Sequence, residues 1–146
     1  MFSVTLINVA ESKGDNLKSF ESEYRKRLAA FCNFVTETVK GSDIKKDGEG
    51  ILKKIKDGDA VVLLDERGTE YTSVGFADFI SKEKDHGAKL VFIIGGAYGV
   101  SDSVKARANF KIALSKMTFP HQLVRVFFLE QLYRAFTITA GRGYHH

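Results

Sequence analysis

The stretch "KLVFIIGGAYG", residues 89–99, sets an unbroken apolar run against an abrupt cluster of glycines. Lys89 to Ile94 suits a strand buried on both faces, because a half-exposed strand would alternate apolar and polar residues. At Gly95, Gly96 and Gly99 the missing side chains permit a positive φ in a turn and close approach of the backbone to a flat ligand. Outward from this strand the same pattern repeats. "AVVLL" at 60–64 is a second buried run, ended by "DERG", which reads as a turn. "NFVTETV" at 33–39 alternates like a half-buried strand, and the opening "MFSVTLINVA" reads as a strand over Phe2 to Val9. A further strand ends near Leu114. Leu17, Phe20, Tyr24, Leu28 and Phe31 recur at steps of three and four, which marks an amphipathic helix, and "FADFISKEK" suits another. Lys40 to Gly50 carries three glycines among charges and predicts a loop that leads into a short helix around Ile51 to Ile55. Strands alternating with helices predict one α/β domain, residues 1–146, built on a mostly parallel sheet.

Composition narrows the partners. The 146 residues are 44% hydrophobic, enough for one sizeable core. Lys and Arg number 22 against 18 acidic residues, a formal charge of +4 that favours an anionic partner. Cys32 is the single cysteine, which excludes an internal disulfide framework and a multi-cysteine metal site and fits a reducing compartment, the cytoplasm. No apolar run reaches the length of a membrane span and the opening lacks a basic leader, so a soluble protein without membrane attachment is expected.

Pro120 stands where helices accept proline, and "HQLVRVFFLEQLYRAFTI" then runs to Ile138 without a breaker. Its apolar residues form a wider stripe than one sheet face covers. Either its own domain encloses this helix or a second copy packs on it in a two-fold dimer; the dimer is the reading favoured here. His121 and Arg125 share one helix face, as do Glu130 and Arg134. The latter pair reads equally as a satisfied salt bridge or as an arginine held ready for phosphate. Gly141 and Gly143 end the helix and deliver Tyr144, His145 and His146 to one point. There is no HExxH or comparable ligand set, so no metal is expected.

Open α/β sheets bind ligands beyond the carboxyl ends of their strands. "GGAYG" departs from the GxGxxG dinucleotide fingerprint, and no Walker A triplet exists. Asp65 and Glu66 could be a ribose-binding pair, a catalytic pair, or turn residues beside Arg67. Backbone groups from Ser115 to Phe119 are free to meet the edge of an adenine, with Met117 or Phe119 covering its apolar face.

The run "LSKMTFPHQLVRVFFLEQLYRAFTITAGRGYHH", with "LLDERG" and "FIIGGAYG" ahead of it, resembles the ribosomal RNA large-subunit methyltransferase H family, the minimal members of the SPOUT methyltransferases. The resemblance extends over essentially the whole chain. It implies a SPOUT-type knotted α/β fold with a deep C-terminal trefoil knot. The activity it implies is S-adenosylmethionine-dependent methylation of N3 of a pseudouridine in helix 69 of 23S rRNA, on the assembled 70S ribosome. It places the cofactor against Leu64, Gly95 and the loop Leu114, Ser115, Lys116, Met117, Thr118 and Phe119. It implies a homodimer in which Tyr144 and His145 of one subunit complete the other's pocket, with Glu130, Arg134, His121 and Arg125 near the reacting groups. Neighbouring readings are a SPOUT methyltransferase for another RNA site, or a ribosome-binding factor that kept the fold without catalysis. Two features depart from the family: His146 replaces a terminal Lys or Arg, and the loop around Gly41 to Gly50 is shorter.

Overall fold

The computed structural model describes residues 1–9 and 16–146; Ala10, the last residue of the opening strand motif, lies outside them. Five strands form one sheet: β1 (Ser3–Val9), β2 (Asn33–Val39), β3 (Ala60–Glu70), β4 (Leu90–Ile94) and β5 (Phe110–Ala113). Their order is β2-β1-β4-β3-β5, and every neighbouring pair is parallel. Among the described residues four helices connect them, α1 (Lys18–Leu28), α2 (Ile44–Lys53), α3 (Ser73–His86) and α4 (Asp102–Arg107), and α5 (His121–Thr139) follows β5.

Strand periodicity divides the core. Leu90, Phe92 and Ile94 of β4 pack with residues of α1, α3 and α5 on one face, while Val91 and Ile93 pack with α2 and α4 on the other. Both faces are covered, which is why β4 is a continuous apolar run. On the α5 face the rings of Phe92 and Phe128 lie 4.6 Å apart.

The expected loop over residues 40–50 is largely helix. Asp43 caps α2 by accepting a hydrogen bond from the Lys46 amide at 2.8 Å, worth about 1 kcal/mol. Gly48 sits where a Cβ would collide with the Ser101 side chain at the start of α4. It marks helix-to-helix contact and not a break. The expected helix to Ile55 ends at Lys53.

"DERG" does not end its strand. Asp65 Oδ1 accepts from the Arg67 amide at 3.0 Å, the local turn chemistry that the sequence advertises. The chain nevertheless rejoins β5: Ile112 is in register first with Leu64 and then with Thr69. Residues 65–68 are an excursion within β3. Helix α4, absent from the sequence reading, is only six residues long and is capped by Ser101.

Helix α5 lies between α1 and α3 and packs on both. Its Phe128, Leu129, Leu132, Ala135 and Phe136 face the core. The flanking helices explain much of its apolar girth within one subunit. Phe127 remains 41% exposed, close in character to Tyr71 and Val74 at the start of α3.

Candidate active site

The carboxyl ends of β3, β4 and β5 open into a cleft of about 420 Å³. Three loops wall it. The first is the excursion after Leu64, the second is Gly95 to Gly99, and the third runs from Leu114 to Phe119. The second is a tight turn in which Gly96 accepts from the Gly99 amide at 3.0 Å, with Gly99 at φ +86°. A Cβ on Gly95 would come within 2.8 Å of Val100 Cγ1 and 3.1 Å of the Gly99 backbone. A backbone-lined cradle follows, open to a flat or extended ligand.

The third loop is tied locally and across the cleft. Ser115 Oγ accepts from the Met117 amide at 3.0 Å, a short hydroxyl turn. Thr118 Oγ1 donates to Glu66 Oε2, joining the third loop to the first. Lys116 points elsewhere, 3.6 Å from Glu70, and does not line the cleft. His121, at the first turn of α5, lines it. Its helix-face neighbour Arg125 does not; Arg125 Nε lies 2.8 Å from Glu21 Oε1, between α5 and α1, in a small polar cavity that includes Asn8. The shared face of this pair therefore spans two environments.

A second constellation joins α5 to the tail. Arg134 grips Glu130 in two hydrogen bonds, Nε to Oε1 at 2.9 Å and Nη2 to Oε2 at 3.2 Å. Tyr144 donates to Glu130 Oε2 at 2.8 Å, and Arg134 Nη1 lies 3.0 Å from His145 Nδ1. An arginine can only donate, so this contact needs the imidazole with Nδ1 as acceptor and the proton on Nε2. Burial, then the bond to Glu130, pushes the Tyr144 phenol above its ordinary range. The Glu130 hydrogen bond likewise raises Arg134. The Arg134 guanidinium also covers the Tyr144 ring at 4.8 Å.

The two constellations are not one site within a single chain. Tyr144, His145 and Arg134 line neither the cleft nor the adjoining cavity of about 340 Å³. Glu130 lines that second cavity, and Leu114, Ser115 and Phe119 border both spaces. The third loop is thus the wall between them. Among the described residues no group of three or more His, Cys, Asp or Glu is placed to hold a metal. No helix among them is long and apolar enough to cross a membrane. Sequence reasoning left Glu66 undecided among three roles and missed its bond to Thr118; nothing in the local pattern links residues 52 positions apart.

A family profile described as "Predicted SPOUT methyltransferase" matches residues 2–145. The chain belongs to this SPOUT methyltransferase family. Among relatives of this SPOUT chain, the ribosomal RNA large subunit methyltransferase H of Flavobacterium psychrophilum is 43% identical over 157 residues, covering 99% of each sequence. That of Cytophaga hutchinsonii is 45% identical over 151 residues, covering 97% of each. The crystal structure of the SpoU methyltransferase AviRb from Streptomyces viridochromogenes matches with a TM-score of 0.52 at 13% identity, over 96% of this chain and 61% of that one. That likeness concerns the fold, and it agrees with a SPOUT sheet whose carboxyl ends carry the cleft.

Proposed function

We propose that this methyltransferase uses S-adenosylmethionine to methylate N3 of a pseudouridine in helix 69 of 23S rRNA, acting in the cytoplasm on the assembled 70S ribosome. The observation that carries the reading is the glycine-backed cleft at the ends of β3, β4 and β5, with the 114–119 backbone as one wall. The curated relatives, similar over their whole length, are named for ribosomal RNA of the large subunit.

The cleft suits the cofactor chemically. It combines apolar Leu64, Leu114 and Phe119 with exposed backbone, the pairing an adenine and a thioether chain need. Bound there, S-adenosylmethionine supplies a methyl group on a sulfonium. Leu64, Gly95 and, from the third loop, Leu114, Ser115, Met117, Thr118 and Phe119 would hold it, with Lys116 turned away toward Glu70. The trefoil knot implied for this fold would pass the chain through that third loop.

Transfer to a ring nitrogen is an in-line displacement, so positioning is the main demand. Nitrogen N3 would lose its proton and bond to the methyl carbon as the carbon–sulfur bond breaks, the sulfur keeping that electron pair and leaving as a neutral thioether. The tail cluster is a poor sink for that proton. Glu130 already accepts from Arg134, Tyr144 and Gln131. His145, with Nδ1 occupied by Arg134, offers a donor at Nε2. Tyr144 keeps its proton. Arg134, Tyr144 and His145 accordingly orient the base and its phosphate, and the proton leaves to solvent or to His121 at the cleft.

Because cleft and tail cluster are separate within one subunit, the complete site forms between two. A homodimer brings the Glu130–Arg134–Tyr144–His145 group of one copy to the cleft of its partner. The exposed Phe127, Tyr71 and Val74 support such packing. The testing experiment is transfer of labelled methyl to 70S ribosomes lacking the modification, with free 23S rRNA alongside. N3-methylpseudouridine from 70S alone is the expected product. Cofactor binding without transfer to either substrate would overturn the reading.

A further inference from the structure

The chain has five tyrosines. Four pack against another ring: Tyr24 on Tyr133 at 6.3 Å, Tyr133 on Tyr144 at 4.9 Å, and Tyr71 on Phe79 at 5.8 Å. Tyr98 does not. It is 89% exposed and has no ring contact, hydrogen bond or ion pair among the described residues. A large ring left in water is informative when the backbone beneath it is fixed, and here it is. Tyr98 stands at a central position of the turn closed by the Gly96–Gly99 hydrogen bond and bridge. Only its two side-chain torsions remain to be ordered on contact, a small entropic cost.

Its surroundings say what it meets. Tyr98 borders the cleft mouth together with Arg67, Lys105 and Met117. The Arg67 side chain is 83% exposed, with Asp65 at a loose 3.8 Å. Met117 is 74% exposed on the opposite loop. An aromatic face flanked by two cations matches an unpaired nucleotide, with stacking on the ring and phosphate on the cations. A patch built for a protein partner would be apolar and contiguous. A ring meant to cover the cofactor would lean on the cleft wall and lose much of its exposure.

We infer that Tyr98 is a stacking platform for an unpaired RNA base beside the target nucleotide, with Arg67 and Lys105 on the adjoining phosphates. The inference rests on the proposed RNA methyltransferase activity and deepens it, by naming how substrate is gripped at the mouth of the cleft. It adds a substrate-binding residue outside the tail cluster, on the second of the three loops that wall the cleft.

Tyr98→Ala, Tyr98→Phe and Tyr98→Leu separate the terms. For methyl transfer to 70S ribosomes, the alanine variant should raise KM about five- to hundredfold, the range that loss of one stacked base gives. Its kcat at saturation should stay within about twofold. Phenylalanine keeps the π face and should stay near wild type, while leucine should resemble alanine. S-adenosylmethionine affinity, by calorimetry, and subunit association, by sedimentation, should not move. An unchanged KM for Tyr98→Ala overturns the inference, as does a change that follows cofactor affinity or loss of the dimer.

A second readout needs no turnover. The chain contains no tryptophan, so Tyr98→Trp carries a single reporter. An RNA hairpin with an unpaired loop should quench its fluorescence, and a fully paired duplex should not. Quenching without methyl transfer by wild type would defeat the proposed activity and leave the platform standing. No quenching, with wild-type transfer intact, would defeat the platform.

Discussion

Tyr144 donates to Glu130 across 2.8 Å, tying the tail back to the middle of α5. Arg134 grips both oxygens of the same carboxylate and reaches His145. Four side chains are thereby joined, with Glu130 and Arg134 at the centre and Tyr144 and His145 each held by one of them.

Arg134→Ala should therefore reduce methyl transfer by about a hundredfold or more, the scale of a misplaced reacting group. Cofactor affinity should be unaffected, since Arg134 does not line the cleft. Single-turnover rates and calorimetry on the same preparation check both halves. Near wild-type turnover would remove Arg134 from the site.

Gly95→Ala places a methyl group against Val100 and the Gly99 backbone. The second loop must shift, and S-adenosylmethionine should bind about ten- to hundredfold more weakly. Gly58→Ala is the matched control, because a Cβ there meets nothing within 4 Å. Isothermal titration of the two variants distinguishes a cradle from a general glycine effect.

Arg125 and Glu21 form an ion pair enclosed between α1 and α5. Arg125→Ala should cost about 3–5 kcal/mol in denaturant unfolding, because Glu21 loses its partner in a poorly hydrated place. Replacing both residues by apolar ones of similar volume should recover most of that loss. Turnover per folded molecule should persist in the double variant if the pair serves structure; loss of kcat at full folding would return Arg125 to the reaction.

Burial pushes the Cys32 thiol up from 9.0 to about 12. Between those values the unfolded chain releases a proton that the native chain keeps, so stability is full below pH 9 and falls as pH rises. Tyr144, also raised, adds to the same alkaline slope. Cys32→Ala should flatten the slope of unfolding free energy against pH in this window. At pH 8 the native thiol should resist alkylation until the protein unfolds.

What the sequence made legible was what periodicity encodes. β4 announced itself because both of its faces are buried, and α5 because nothing interrupts it. The third loop was placed on the cleft by its position after a strand. Other features turn on distant partners. Gly48 resembles a helix breaker until Ser101, 53 positions on, is seen against it. "DERG" makes its turn locally, yet β5 draws the chain back into the sheet. Arg125 and His121 share a face by spacing, while Glu21 and the cleft separate them in space.

All four strand pairings are parallel, and their order brings β1 beside both β2 and β4. Parallel neighbours need crossovers, so no hairpin is available to start the sheet. During synthesis β1 and β2 can join early, but the other edge of β1 stays open until residue 94 has emerged. The cleft comes later still, because β5 and the loop beyond it are among the last segments made. Such a chain spends much of its translation with an unpaired strand edge and buried-type surface in water. Its folding should be slow for its size, and its yield should depend on chaperones more than its native stability would suggest.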